Sequence, residues 1–405
     1  MTPPHPDLGL VVVIPCFNEP DLLSTLDSVA QCELPPCATE CIVVINHPSD
    51  APVEIQTNNQ ATLTAARSWV VGREDSRLVW HILDYSDLPP RQAGVGLARK
   101  IGMDLGLVRL LAAGKPKGVI VALDADCRVA GNYLVALYEH FQMYPLTPGC
   151  AIHFRHPLEG LTERPRYGIA AYELSLRYVV QGWRYCGLPN GFHTVGSAMA
   201  VRAEAYRKQG GMNRRQAGED FYFLQKIMAL GNFTALTTTT VFPSPRISHR
   251  VPFGTGRAMA EWMSRVTKDY LVWNPLVFEE PRHFFSLVET LYTSDDALAV
   301  AGSTFGRFLS SVDIVGRLCE MRGHTASSMA FRKRFFHWFD GFRFLKWAHW
   351  AAANGLGDRD VETAALTLLD WQGHSCPEGS SSVEGLLAIY DRLDRADWSY
   401  RDLSR

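Results

Sequence analysis

Two aspartates one residue apart stand at the end of the apolar run in GVIVALDADCRV, residues 118 to 129: Asp124 and Asp126. The run reads as a buried strand. Residues i and i+2 leaving a strand point to one side, so the two carboxylates are expected to converge. Converging carboxylates either repel or share a cation. A hard divalent ion, Mg²⁺ or Mn²⁺, takes oxygen ligands and keeps places for phosphate oxygens. The other reading is a solvated pair in a loop. Asp358 and Asp360 repeat the spacing ahead of VETAALTLL. There the acids read as a helix N-terminus, where they offset the helix dipole.

Three further groups carry chemistry. Arg99 and Lys100, in AGVGLARKIGMDLG, lie near the start of a helical pattern, where they would reach an anionic diphosphate or stand as surface charges. The glycines of GVGLARKIG are Gly94, Gly96 and Gly102, which is not the dinucleotide-binding spacing. Glu219 and Asp220 directly precede FYFLQKIMAL, so Asp220 reads as an N-cap or as a carboxylate fixed rigidly at a helix start. Asn18 and Glu19, in IPCFNEP, read as the cap and first-turn acid of the helix that follows.

The elements that must position these residues form a pattern. LGLVVVIP (8 to 15), ECIVVIN (40 to 46), SRLVWHILD (76 to 84) and GVIVALD (118 to 124) read as strands. EPDLLSTLDSVAQ (19 to 31) and GLARKIGMDLGLVRLLAAG (96 to 114) read as helices. Alternation of this kind predicts an α/β fold with a doubly wound, mostly parallel sheet. Such sheets bind ligands beyond the carboxyl ends of their strands, where Asp124 and Asp126 lie.

Composition sets bounds. The chain has 405 residues, 47% of them hydrophobic, and 40 basic against 42 acidic residues. That is enough apolar content for a sizeable core, and a net charge of −2 provides no basic field for nucleic acid. No apolar run approaches the ~18 residues of a spanning helix. MTPPHPDLGLVVV lacks a basic region ahead of its apolar stretch and is not expected to be a signal peptide. Nine cysteines, odd in number and scattered, suit a reducing cytoplasm. Cys32, Cys37 and Cys41 lack the paired spacing of a zinc site.

Four segments together resemble family 2 glycosyltransferases, the inverting enzymes of GT-A fold. VVVIPCFNEPDLLSTLDSV resembles the family's opening strand and nucleotide-holding loop. AGVGLARKIGMDLG resembles its second element and VALDADCRV its D-x-D. VGSAMAVRAEAYRKQGGMNRRQAGEDFYFLQKIMALG resembles its acceptor segment. The four stand in the family's order, over residues 8 to 256.

The resemblance implies a nucleoside-diphosphate-sugar donor held by Pro15, Phe17, Asn18, Glu19, Asn46, Arg99, Lys100 and Asp124. It implies Mg²⁺ or Mn²⁺ on Asp124 and Asp126, with His249 of PRISHRVPFGTGRA as the candidate third ligand. Asp220, beside Glu219, becomes the general base for a saccharide or other hydroxyl-bearing acceptor. Gly254 and Gly256 would let that loop close over the donor. His153 and His156 of HFRHP fit a strand exit or acceptor wall. The implied layout is a glycosyltransferase domain over 1 to 256, with a nucleotide-sugar half (8 to 130) and an acceptor half (131 to 256).

There are two departures. The stretch after the second strand, INHPSDAP, lacks the acids that often contact the base, so the base is open. No Q-x-x-R-W segment occurs, which disfavours a membrane-embedded polymer synthase. The alternatives are a sugar-nucleotide pyrophosphorylase, disfavoured because IPCFNEP has no glycine, and an inactive sugar-nucleotide-binding protein.

From 257 to 405 the pattern turns helical. In SMAFRKRFFHWFDGFRFLKWAHWAAANG, residues Phe331, Phe335, Trp338, Phe342 and Leu345 form one stripe accompanied by basic residues. It reads as a packing face against the catalytic domain. Peripheral contact with an anionic membrane is the other reading. HSCPEGSSS (374 to 382) reads as a connection before a last helix.

Overall fold

The structure is a computed structural model that describes residues 1–73, 75–90, 93–213, 218–248, 254–266, 269–300 and 302–396. The described chain falls into two compact units. The first holds Met1–Gly160 and Thr194–Glu261, and the second holds Leu161–His193 and Trp262–Ala396. The second unit therefore includes a segment, 161–193, that precedes the change of pattern at 257.

The chain runs β1 (Leu8–Cys16), α1 (Leu22–Ala30), β2 (Ala38–Pro48), α2 (Val53–Val70), β3 (Leu78–Leu88), α3 (Val95–Ala112), β4 (Val119–Ala122), β5 (Cys127–Val129), α4 (Tyr133–Met143) and β6 (Gly149–Phe154). After α5 (Glu163–Tyr185) come β7 (Met199–Arg202), α6 (Ala203–Lys208), α7 (Glu219–Met228) and β8 (Thr234–Pro243). The eight strands form one sheet in the order β3-β2-β1-β4-β7-β6-β8-β5. β3, β2, β1 and β4 are mutually parallel; β7 runs against β4 and β6, β8 is parallel to β6, and β5 runs against β8. This is the doubly wound, mostly parallel sheet that the alternation predicts.

Val11, Val12, Val13 and Ile14 are fully buried, as expected for a strand covered on both faces. The covering helix α3 comes close to the sheet through two glycines. A Cβ at Gly102 would collide with Val13 of β1, and one at Gly106 would stand 3.0 Å from Val11 Cγ1. α2 is an element that the sequence reading does not assign. It has few apolar residues, and its buried face is only Asn59, Leu63, Ala66 and Trp69.

The second unit is helical, as expected for the C-terminal region. α8 (Thr255–Ser264) begins in the first unit; after it come β9 (Leu271–Val272), α9 (Leu276–Ser286), α10 (Ser303–Ser311), α11 (Ile314–Gly323), α12 (Ser328–Trp338), α13 (Gly341–Ala353), β10 (Arg359–Asp360), α14 (Val361–Trp371) and α15 (Val383–Arg395). No described helix is long and apolar enough to cross a membrane.

The single long aromatic stripe does not hold. Asp340 accepts a hydrogen bond from the Arg343 N–H and starts a new helix, which resets the phase. Phe331 and Phe335 are fully buried, but beyond the break the buried face is Phe344, Trp347, Ala348 and Ala351, not Phe342 and Leu345. Phe335 packs against Phe284, Phe285 and Phe339 within this unit. Arg177 of α5 is fully buried and pairs with Glu173 (2.7 Å), Asp391 (3.1 Å) and Asp394 (2.7 Å), tying α5 to α15.

The second aspartate pair is what its position suggests. Asp360 caps α14, accepting from the N–H groups of Glu362 (3.1 Å) and Thr363 (3.3 Å), and Asp358 is exposed. Asp360→Ala is expected to lower stability by about 1 kcal/mol, the usual worth of a cap, as read by a denaturant midpoint. Asp358→Ala should leave the midpoint unchanged; equal losses in both variants would contradict the cap.

Candidate active site

Leu123 follows β4 and still donates to Val13 O of β1 (3.0 Å), so the chain leaves the sheet at Asp124. A turn closes at once, with the Cys127 N–H on Asp124 O at 3.1 Å, and β5 begins. Thr25 of α1 donates to Ala125 O at 2.8 Å and holds the turn from below. The two carboxylates therefore sit on a turn rather than a strand, and each meets a different arginine.

Asp124 faces Arg99. Four residues into α3, Arg99 is 2% exposed. Its Nη2 donates to Asp124 Oδ1 at 2.6 Å, and its Nη1 donates to Glu219 at the start of α7. Arg99 Nε has no partner among the described residues. Burial works against the guanidinium's charge, but Asp124, Glu219 and Asp220 outweigh it and raise the Arg99 pKa. Lys100 instead pairs with Asp104 one turn on, at 2.8 Å.

Glu219 is buried and Asp220 beside it is half-buried. Neither caps α7. The N-cap is Gly218, in the left-handed region at φ 67°, and Asp220 Oδ1 accepts from the Phe221 N–H at 2.7 Å. Burial and the neighbouring Glu219 push the Asp220 carboxyl up to about 6, against the pull of Arg99. Gly196 shapes this corner, because a Cβ there would lie 2.9 Å from Asp220 Oδ2 and 3.1 Å from both Arg99 Nη atoms.

Asp126 faces Arg246, in the loop after β8. Arg246 Nη2 lies 3.5 Å from Asp126 Oδ2 and is bonded to Glu19, while Nη1 lies 3.4 Å from Asp21 Oδ2. Glu19 is 1% exposed, so Arg246 neutralises a charge that burial alone would penalise. A cleft of about 190 Å³ opens beside Asp126, walled by Asp21, Thr25, Arg128, Phe242 and Pro245.

The loop after β1 corrects two readings. Glu19 is not a first-turn acid of α1, because the helix starts at Leu22 and has no acid in its first turn. Asn18 is not the cap of α1, which is Asp21. Asn18 sits at φ 48°, a conformation asparagine tolerates. Its N–H donates to Asn59 Oδ1 (2.8 Å) and its Oδ1 accepts from Asn58 Nδ2 (3.2 Å), both on α2. Asn46 is fully buried, with Nδ2 on Cys16 O at 2.9 Å, so it locks the ends of β1 and β2 together. Asn46 Oδ1 has no partner among the described residues. Pro15 is buried at the end of β1 and Phe17 is half-buried just past it.

His153, near the end of β6, meets Thr240 Oγ1 at 3.1 Å, and His156 meets Thr255 Oγ1 at 3.0 Å. His249 lies outside the described residues. Among the described residues no three His, Cys, Asp or Glu side chains gather as a complete metal site. Arg246, Asp21 and Gly196 escaped the sequence reading. Nothing local separates Arg246 from the other arginine of PRISHR, and the only signal for Gly196 is its place in VGSAM.

No family model matches the sequence, and no curated protein matches it. Among solved structures, S. aureus TarS in complex with UDP-GlcNAc is similar at 11% identity over 96% of this chain and 93% of that chain, with a TM-score of 0.41. The mannosyltransferase PcManGT from Pyrobaculum calidifontis, in complex with GDP-Man and Mn²⁺, is similar at 14% identity over 97% of this chain and 88% of that chain, with a TM-score of 0.39.

Two outcomes follow from the buried charges. Arg99→Met leaves the Glu219 carboxylate buried and unpaired, so unfolding free energy should fall by about 3–5 kcal/mol; a loss below 1 kcal/mol would mean the pair does not hold α3 to α7. The Asp220 carboxyl moves from an ordinary value of 3.8 to about 6 on folding. Between those values the folded chain keeps a proton that the unfolded chain has lost, so stability falls as pH rises towards and through 6. Asp220→Asn should remove that fall. Melting curves at pH 4.5 and pH 7 check it, and identical pH slopes in parent and variant would contradict it.

Proposed function

We propose that the chain is an inverting glycosyltransferase that moves a sugar from a nucleoside-diphosphate sugar to an acceptor hydroxyl. One observation carries the reading: Arg99 joins Asp124, at the strand exit where a donor diphosphate would lie, to Glu219 and Asp220, at the start of α7. The two acidic motifs, 95 residues apart, belong to one charge network. The order of the four sequence motifs supports the same reading.

The donor set suits Mg²⁺ or Mn²⁺. Asp124 and Asp126 offer hard oxygen ligands, with side chains 35% and 27% exposed. Asp124 and Asp126 would hold the ion, with His249 as a further candidate. Once bound, the ion supplies Lewis-acid stabilisation of the departing diphosphate.

The chain's own residues do the rest. Asp220 accepts the proton of the acceptor hydroxyl as that oxygen bonds to the anomeric carbon, and the bond from that carbon to the diphosphate oxygen breaks on the opposite face. A carboxyl near 6 is mostly ionised at neutral pH and is a stronger base than an ordinary aspartate. Glu219 and Arg99 position it. Asn18, Asn46 and Asn59 hold the loop after β1 open in one shape for the nucleotide.

Asp220→Asn should keep nucleoside-diphosphate binding and lower transfer by about 10²- to 10⁴-fold, the usual contribution of a general base. Asp126→Asn should weaken binding only when Mn²⁺ is present. Calorimetry with and without chelator measures the binding, and release of nucleoside diphosphate measures transfer. Donor that binds with no transfer to any acceptor would favour a binding protein. Pyrophosphate release from a nucleoside triphosphate would favour a pyrophosphorylase.

A further inference from the structure

The aromatic and basic run of the C-terminal region has no part in the donor site. Its aromatic side is committed to the core, since Phe331, Phe335 and Phe336 of α12 are buried. The outward side of that helix is Met329, Ala330, Lys333, Arg334 and His337, all exposed and none acidic. Met329 and Lys333 lie one turn apart, as do Lys333 and His337, so these residues share a single face.

That face continues onto two neighbouring helices. Glu320 of α11 lies 3.0 Å from Arg317 and 4.0 Å from Arg334, so the exposed sides of α11 and α12 meet along it. Burial lowers the Arg343 pKa on α13, and nearby Arg317 adds to the effect against the pull of Asp340, which places Arg343 beside the same cluster. Exposed Lys346 follows Arg343 at i+3, on the same side of α13. Lys333 and Lys346 have no acidic partner among the described residues.

Residues 303 to 350 hold eight Lys and Arg against three acids, Asp313, Glu320 and Asp340, in a chain of 40 against 42 overall. Glu289 and Asp295, from outside that span, pair with Arg332 and Arg322. Six cations then remain for the three acids. Two of those acids also accept helix N–H groups, Asp313 from Gly316 and Asp340 from Arg343. A local excess of this kind suits an anionic partner. Val315 and Met329, 50% and 76% exposed on the same helices, narrow its class. A dissolved polyanion would neutralise the cations and leave both apolar side chains in water. A bilayer offers phosphates at its surface and hydrocarbon just beneath.

We propose that the exposed face of α11, α12 and α13 docks the chain on an anionic lipid surface. Arg317, Lys333, Arg334 and Lys346 lie among the headgroups, and Val315 and Met329 reach the acyl boundary. Because the aromatic side chains stay in the core, the helices rest on the surface without entering it, and attachment is reversible and salt-dependent. All of these residues lie in the second unit, and none belongs to the proposed donor site.

The test is co-sedimentation of the full chain with phosphatidylcholine vesicles, with and without phosphatidylglycerol. The parent should bind only the anionic vesicles, and raising salt from about 0.1 to about 1 M, which shortens the Debye length from ~10 to ~3 Å, should release it. Lys333→Gln with Arg334→Gln should weaken binding by about 25-fold, at roughly fivefold per cation near an anionic surface. Met329→Ser should weaken it without changing its salt dependence. The exposed pair Arg207→Gln with Lys208→Gln, on α6 of the first unit, removes the same charge and should bind as the parent does. All variants should melt with the parent, since each changes only exposed side chains. A parent that ignores anionic vesicles, or binds neutral ones equally, overturns the proposal. So does equal weakening by the α6 pair, or binding to soluble polyphosphate in place of vesicles.

Discussion

The buried guanidinium of Arg99 is the interaction on which the site depends. It is bonded at once to the turn after β4 and to the first residue of α7, through Asp124 and Glu219. Those elements are far apart in sequence and not adjacent in the sheet's connectivity. A guanidinium is suited to this task because its fork presents separate N–H groups to two carboxylates and cannot lose its charge. An ammonium at this position would offer a single point of charge and would be free to deprotonate under burial. Removing the cation would leave α7 with a buried acid facing other acids, and the corner between α7 and the β4 turn would open.

The same network explains why Asp220 differs from its neighbours. Arg99 faces Asp124, Glu219 and Asp220, and one positive charge cannot stabilise three negative ones equally. Asp124 and Glu219 hold the direct bonds. Burial, with the like charge of Glu219, outweighs the attraction of Arg99, so the Asp220 proton stays on to about 6. A parallel arrangement surrounds Arg246, with Glu19, Asp21 and Asp126. Neighbouring Asp124 and Asp126 thus belong to different sets.

Much of this was legible in the residues, and the reasons are specific. β1, β2 and β4 announce themselves because strands covered on both faces are largely apolar, whereas β3, at the sheet edge, is apolar only in its first half. The expected strand ran to Asp124 where β4 ends at Ala122, close enough to place the aspartates at the sheet's exit but not to show that they sit on a turn facing different arginines. What pattern could not supply was partnership. Arg99 read as a surface or diphosphate-binding charge because helical position says nothing about which acids fold against it. Glu19 read as a first-turn acid because local rules assign an acid near a helix to that helix, whereas burial assigns it to Arg246. α2 was missed because its buried face is narrow and partly polar, with Asn59 serving the loop after β1 rather than the core. The long aromatic stripe failed at one residue, Asp340, whose cap resets the helix phase.

Spacing within α3 links these levels. Arg99 reaches both carboxylates only if α3 lies close to the sheet, and that distance is set further along the helix. Gly102 rests against Val13 of β1 and, at 3.3 Å for a notional Cβ, against Val44 of β2; Gly106 rests on Val11. Glycine costs an α-helix roughly 1 kcal/mol relative to alanine, so its presence at two positions four residues apart on the sheet-facing side needs a compensating gain. Close approach is that gain. Arg99 is three residues before Gly102 and therefore one turn away on the same side of the helix. The closer the glycines bring the helix to β1, the deeper the guanidinium at its N-terminal end lies beneath the turn after β4. A sequence motif of an arginine followed at i+3 by glycine is then a statement about depth: the glycine sets how far the helix sinks, and the arginine converts that depth into a buried charge at the strand exits.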